Sequence, residues 1–306
     1  MTLSTYTTAG VPTNPTGWRA TCLQVHNSIL AVGLVQTADT GQINFATVTP
    51  NESGNTKSGY TIYSFNDTLQ ASYPCFIRID YGVDQTGVSY YGVTIWMTVG
   101  TSTNGAGVIG AILSPTINVS IQLYSESNAV GASSGSTSRL TLVSRYNQTG
   151  QYGVSALSVE RIQSTAGADT NTGLVFTWIK YNSNQNSFPY HGQQVLYFSG
   201  IQPAAFYNNS TTPQGGMPPI ILPYNSTTNT SAWANGNFCY TSPIYPVGYT
   251  LHPPIQGLMV GFLADFPAPN YPLPVSIYGN SHQWAVFAQS WLYQTNSVAN
   301  LLVRWD

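Results

Sequence analysis

Ionisable side chains are nearly missing from this chain. Lys, Arg, Asp and Glu make up 6% of its 306 residues, against roughly 25% in ordinary soluble domains. The eight basic residues, Arg19, Lys57, Arg78, Arg139, Arg145, Arg161, Lys180 and Arg304, are scattered. No cationic stripe is available to neutralise phosphates, so nucleic acid is not an expected partner. The hydrophobic share is normal at 42%, which excludes a disordered chain. Solubility must then rest on the hydroxyls and amides of Ser, Thr, Asn, Gln and Tyr.

Long apolar runs are missing too. None reaches the roughly 18 residues of a membrane-crossing helix, so no membrane partner is expected. The opening "MTLSTYTTAGVPTNPTG" has neither the charged start nor the apolar stretch of a secretory signal, and we expect synthesis in a cytosol. Cysteine is scarce: Cys22, Cys75 and Cys239 are odd in number and far apart. They support neither a disulfide framework nor a structural zinc site. Cys75, within "PCFIRI", reads as a small buried side chain.

What is present is a β pattern. One helix is predicted over "GWRATCLQVHNSILAVGL" (17–34), with Trp18, Cys22, Val25, Ile29 and Val32 forming an apolar stripe. His26 lies beside that stripe and reads as hydrogen-bonded or surface-exposed. After it come short alternating segments, including "GYTIYSF" (59–65), "CFIRIDYG" (75–82), "GVTIWMTVG" (92–100), "LTLVSRY" (140–146), "GVSALSV" (153–159) and "GLVFTWIK" (173–180). Gly, Pro, Asn and Ser cluster between them. The expected fold is mainly β, of the β-sandwich or jelly-roll type, in one or two lobes with one N-terminal helix. "SNAVGASSGSTS" (127–138) has little to bury and reads as a connection between a lobe at 1–126 and a second at 139–306. The stretch 207–236 reads as a long polar loop, of the kind that is functional or makes intermolecular contacts.

Within "NGAGVIGAIL" (104–113), Gly105, Gly107 and Gly110 spell G-x-G-x-x-G, with Glu126 21 residues after the first glycine. That matches a dinucleotide fingerprint in letters. Pro115, however, falls five residues beyond Gly110, where a crossover helix would be in its second turn. The interval is too short for a crossover of about a dozen residues. We expect instead a hairpin, with Asn104-Gly105 supplying positive φ and "VIGAIL" the returning strand. No cofactor is expected.

Other chemistry finds little support. Asp80 and Asp84 in "RIDYGVDQTG" could serve calcium, but no third carboxylate follows nearby, and a turn-capping pair is expected. Glu160 with Asp169 or Asp265 could be drawn as a glycosidase pair, but sequence brings no two of them together. His191, His252 and His282 lack metal-ligand spacing, and no serine sits in G-x-S-x-G. Neither an enzyme nor a metal site is expected. Eight N-x-S/T sequons begin at Asn51, Asn66, Asn118, Asn147, Asn208, Asn209, Asn225 and Asn229. Without a secretory signal we do not expect them to be glycosylated. Among 21 Tyr and 7 Trp, the loop residues Tyr207, Tyr224, Trp233, Tyr245 and Tyr249 form a candidate contact or ligand surface. Tyr and Trp contribute large contact area at small entropy loss.

Three ordered segments carry a resemblance. "GWRATCLQVHNSILAVGLVQTADTGQINFATV" (17–48) is followed by "YTIYSFNDTLQASYPCFIRIDYG" (60–82) and "GVTIWMTVGTSTNGAGVIGAI" (92–112). This run, about 17–113, resembles virion proteins of tailed bacteriophages, described as particle, tail or fibre proteins. Its marks are the helix, "DTGQI", Phe65, Asp67 and Leu69, and the "TVGTSTNGAG" turn. The C-terminal "LPVSIYGNSHQWAVF" is weakly similar. The resemblance implies a non-enzymatic phage structural component, homo-oligomeric and in contact with other virion proteins, located in the virion as head decoration, tail or fibre. It transfers no site residues. Two further readings stay open: a receptor- or carbohydrate-binding adhesin engaging host surface glycan, and a jelly-roll capsid protein of an archaeal virus. A glycan-degrading spike is a fourth.

Overall fold

The computed structural model describes residues 2–8, 12–53, 56–84, 91–112, 120–123, 129–148, 151–163, 172–180, 190–197, 240–243, 258–262, 272–277, 280–288 and 299–304. They are mainly antiparallel β with one helix, α1 (Pro15–Ala31).

Helix α1 starts and stops for local reasons. Asn14 accepts the Gly17 amide at 2.8 Å through its side chain, and Pro15 occupies the first turn, where a missing N–H costs nothing. Gly33, at φ +111°, ends it. The predicted stripe of Trp18, Cys22, Val25, Ile29 and Val32 is buried. Each such side chain contributes roughly 1.5–3 kcal/mol relative to exposure.

The first sheet follows the order β2 (Val35–Gln36), β3 (Thr56–Ser64), β4 (Phe76–Asp84), β5 (Gly92–Thr103), β6 (Ile109–Ile112). β7 (Ser120–Leu123) pairs the opening of β5, beside β6. Period-two alternation sends Ile77, Ile79, Tyr81 and Val83 of β4, with Val93, Ile95, Met97 and Val99 of β5, into the core. The second sheet runs β1 (Thr2–Thr8), β8 (Ala129–Ser136), β9 (Arg139–Gln148), β10 (Gln151–Gln163), β11 (Thr172–Lys180), β12 (Tyr190–Tyr197). A third sheet joins β13 (Tyr240–Pro243), β14 (Leu258–Phe262), β17 (Ala299–Arg304), β16 (Asn280–Ala288) and β15 (Pro272–Ile277), in that spatial order.

One buried cluster unites α1, the first sheet and Leu140, Leu142, Leu157, Val159, Leu174 and Phe176 of the second. Residues 129–136, expected to be a connection, are a strand paired on both sides. Their backbone groups satisfy one another, so Ala, Ser and Gly suffice there. The N-terminal strand β1 belongs to that same sheet. The predicted loop 207–236 lies outside the described residues.

Candidate functional site

Among the described residues, the densest polar arrangement surrounds the β5–β6 turn. Thr103 pairs with Ile109, and the Asn104 amide donates to the Val108 carbonyl at 3.1 Å, closing a loop over 105–107. The Asn104 side-chain oxygen accepts the Ala106 and Val108 amides at 2.9 and 3.0 Å. The hairpin is as expected, with one correction. Positive φ is taken by Gly105 (+77°) and Gly107 (+91°), while Asn104 acts through its side chain. A Cβ on Gly107 would also lie 2.0 Å from the Tyr60 hydroxyl. Glycine is needed here so that Tyr60 can lie against the turn. Glu126, the would-be ribose ligand, lies outside the described residues.

"DTGQI" (39–43) is the clasp on this turn. The Asp39 carboxylate accepts from the Thr103 hydroxyl, from the Thr37 hydroxyl at 2.6 Å and from the Gly107 amide at 3.3 Å. Burial pushes its carboxyl up, but donation by Thr103, Thr37, Gly107 and Gly105 outweighs that and holds it below the usual carboxylate range. The Thr40 amide donates to the Gly105 carbonyl at 2.8 Å, and Tyr60 donates to the Thr40 carbonyl at 2.8 Å. Gln42 donates to the carbonyls of Thr37 and Asp39 and accepts the Ile62 amide, which fastens the segment to β3.

Arg78 closes the arrangement from below. Its guanidinium donates to the Gly107 carbonyl at 2.6 Å, stacks 4.1 Å from the Tyr60 ring centre, and forks onto Asp80. Asp80, 1% exposed, also receives Lys57 at 2.9 Å. Asp80 is therefore neither a calcium ligand nor a turn cap. It stands mid-strand between two cations, sharing a face with Arg78 two residues away. The Asp84 side chain lies outside the described residues. Beside this group Trp96 covers Gly82, where a Cβ would sit 2.6 Å from the indole. The Trp18 indole donates to the Gly82 carbonyl at 3.0 Å.

Two further groups hold the core. Arg161 forks onto Asp67 at 2.6 and 3.2 Å, donates to the Tyr73 carbonyl at 2.7 Å, and lies over Phe65. It thereby ties β10 to the 65–75 segment. Thr61 donates to the Tyr63 hydroxyl at 3.0 Å, with Tyr81 within 3.2 Å of Thr61. Tyr63 lies 2.6 Å from Nδ1 of His26, whose ring is tilted against Phe45. His26 is thus hydrogen-bonded, as expected.

Glu160 is not placed for glycoside chemistry, since it pairs with Arg139 at 3.4 Å and both are buried. Asp169, Asp265 and His252 lie outside the described residues, as do the side chains of His191 and His282. The same holds for the contact candidates Tyr207, Tyr224, Trp233, Tyr245 and Tyr249. Cys75 is buried, with its thiol pushed up by burial. No group of three or more His, Cys, Asp or Glu among the described residues could hold a metal ion. No helix among them is long and apolar enough to cross a membrane. The arrangement can fasten loops to strands; every donor and acceptor named here is already engaged. Comparison with known proteins finds no family model, no curated protein and no solved structure that matches the chain.

Proposed function

We propose that this chain is a non-enzymatic structural subunit of a bacteriophage virion, a head decoration or a tail or fibre protein acting through contacts between subunits. One observation carries the reading. Every Asp, Glu, Lys and Arg side chain described is bonded to another group of the chain. A protein that spends its few charges on internal fasteners presents hydroxyls, amides and apolar groups outward, the chemistry of close subunit packing. Closure of the first two sheets as a β-sandwich or jelly roll belongs to the same proposal, supported by their common buried cluster. The test is to purify particles produced with the encoding genome and locate the chain by peptide mass spectrometry and particle reconstruction. A fixed copy number at a defined position is the expected result. A chain absent from particles overturns the reading.

The Tyr and Trp residues of 207–249 favour a second reading, a carbohydrate-binding adhesin. It predicts specific signals on a glycan array that Trp233→Ala abolishes.

A further inference from the structure

The Asn104-Gly105 pair at the β5–β6 turn holds the parts of a reaction on itself. An asparagine before a glycine is open to attack by the next backbone nitrogen on its side-chain carbonyl carbon, because glycine has no Cβ to hinder the approach. Both residues are exposed, so water reaches them. The Asn104 side-chain oxygen accepts the Ala106 and Val108 amides at 2.9 and 3.0 Å. Two backbone N–H groups on one carbonyl oxygen polarise its carbon and stand ready for negative charge there, as an oxyanion hole does. The Gly105 amide donates to the Thr103 hydroxyl at 3.2 Å, and that hydroxyl donates to the Asp39 carboxylate. The nitrogen that must lose a proton thus heads a chain that ends on a carboxylate. No hydrogen bond among the described residues holds Nδ2 of Asn104, the group that must leave.

We propose that Asn104 is a self-modification site: the turn promotes closure of Asn104 and Gly105 to a cyclic imide, which water opens to aspartate or isoaspartate. In the first step the Gly105 nitrogen bonds to Cγ of Asn104, and the charge that gathers on Oδ1 rests on the Ala106 and Val108 amides. The Gly105 proton passes to the Thr103 hydroxyl as that hydroxyl's own proton moves toward Asp39. The Cγ–Nδ2 bond then breaks, Nδ2 takes up the proton, and ammonia leaves. Water next adds to either imide carbonyl and breaks its bond to the Gly105 nitrogen. Nothing is oxidised or reduced; amide and water give carboxylate and ammonium. An amide nitrogen attacks through the face of its peptide plane, whereas its N–H lies within that plane. Donation to Thr103 therefore leaves the approach open. Thr103 and Asp39 are positioning residues, since neither bonds to the reacting carbon.

The products act on the clasp. Aspartate keeps an acceptor for Ala106 and Val108 but adds a negative charge to a chain of formal net charge -2, linked through Thr103 to Asp39. Isoaspartate routes the main chain through the side chain and inserts an extra carbon between Thr103 and Ile109, which pair across the turn. The hairpin must then loosen, and Asp39 loses its hold on the Gly107 amide. The turn is a slow covalent timer, intact when folding ends and released with age. The inference is independent of the virion reading.

The experiment holds the full chain at neutral pH, folded in buffer or unfolded in guanidinium chloride, and follows Asn104 by peptide mass mapping. The map separates it from Asn235-Gly236, the other Asn-Gly pair of the sequence. Removing one donor from a buried oxyanion hole costs about a hundredfold or more, so two donors in an exposed turn should make the folded chain convert Asn104 about tenfold faster than the unfolded one. Thr103→Val, which keeps the shape and removes the hydroxyl, should bring the folded rate down to the unfolded one. Thr103→Ser should recover most of the difference. Circular dichroism checks that each variant is folded, and if Thr103→Val does not fold, the wild-type comparison decides alone. A folded rate equal to or below the unfolded rate means that the hydrogen bonds protect Asn104, and overturns the site. An undiminished rate in folded Thr103→Val overturns the relay through Thr103 and Asp39.

Discussion

Asp39 reaches the Gly107 amide across 68 residues of sequence, at 3.3 Å. The same carboxylate oxygen accepts the Thr103 hydroxyl, so a single side chain fixes both ends of the β5–β6 turn to the segment leaving β2.

Asp39→Asn should therefore loosen the turn without unfolding the sheet, at a cost of about 1–3 kcal/mol in denaturant unfolding. The pH dependence has a definite sign. The folded carboxyl titrates below its ordinary value, so its stabilisation is complete above about pH 4 and is lost as pH falls through the lower folded value. Unfolding curves of the wild type should weaken over that acid range, while Asp39→Asn loses less. Equal acid sensitivity in both proteins would remove Asp39 from the account.

His26 predicts a second window. Burial holds its imidazole below the ordinary value, so the unfolded chain binds the proton more readily. Stability is complete above about pH 6.5 and declines as pH drops through the depressed value, because the buried ring takes up its proton less readily than the unfolded one. Melting temperature measured from pH 7.5 to 5 should fall in the wild type and stay flatter in His26→Gln. Tyr63→Phe, which keeps the ring, should cost about 1 kcal/mol.

Arg161 should be the least replaceable charged residue described. Arg161→Ala takes the Arg161 donors from Asp67 and the Tyr73 carbonyl, which predicts a loss of about 3–5 kcal/mol. Arg161→Lys should recover little, since an ammonium cannot fork. If the double change Arg161→Met/Asp67→Asn is no more stable than Arg161→Ala, the burial-penalty argument fails.

The two turn glycines separate conformation from space. Nothing lies within 4 Å of a Cβ at Gly105, whereas one at Gly107 meets the Tyr60 hydroxyl at 2.0 Å. Gly105→Ala should cost about 1–2 kcal/mol from positive φ alone, and Gly107→Ala distinctly more. Thermal melts of both variants rank them, and reversal of the order would contradict the placement of Tyr60.

Elements whose residues announce their own period were legible. The stripe from Trp18 to Val32 marked the helix, and alternation marked β3, β4, β5, β9, β10 and β11. The hairpin is legible against the glycine fingerprint because Pro115 leaves no room for a helix, although the sequence does not show that Gly107 rather than Asn104 takes the second positive φ. By contrast, β1 is "TLSTYTT" and β8 is "AVGASSGS". Neither shows an apolar rhythm: β1 holds its place by backbone pairing with β8, remote in sequence, and β8 by pairing with β1 on one side and the adjacent β9 on the other. The clasp was illegible for the same reason: Asp39 and Thr103 lie 64 residues apart. Asp80 did carry a usable signal. It follows Arg78 by two residues inside a strand-like run, which puts both on one face, but two nearby aspartates suggested a loop instead.

β1 has a consequence for the order of synthesis. Thr2 pairs with Gly135 and Thr8 with Ala129, so β1 stays unpaired until β8, more than 120 residues further along the chain, has been made. At about 5–20 residues per second that interval is on the order of ten seconds. Throughout it, "TLSTYTT" has no partner strand, and its five Ser and Thr residues around Leu3 and Tyr6 keep the waiting segment low in hydrophobicity.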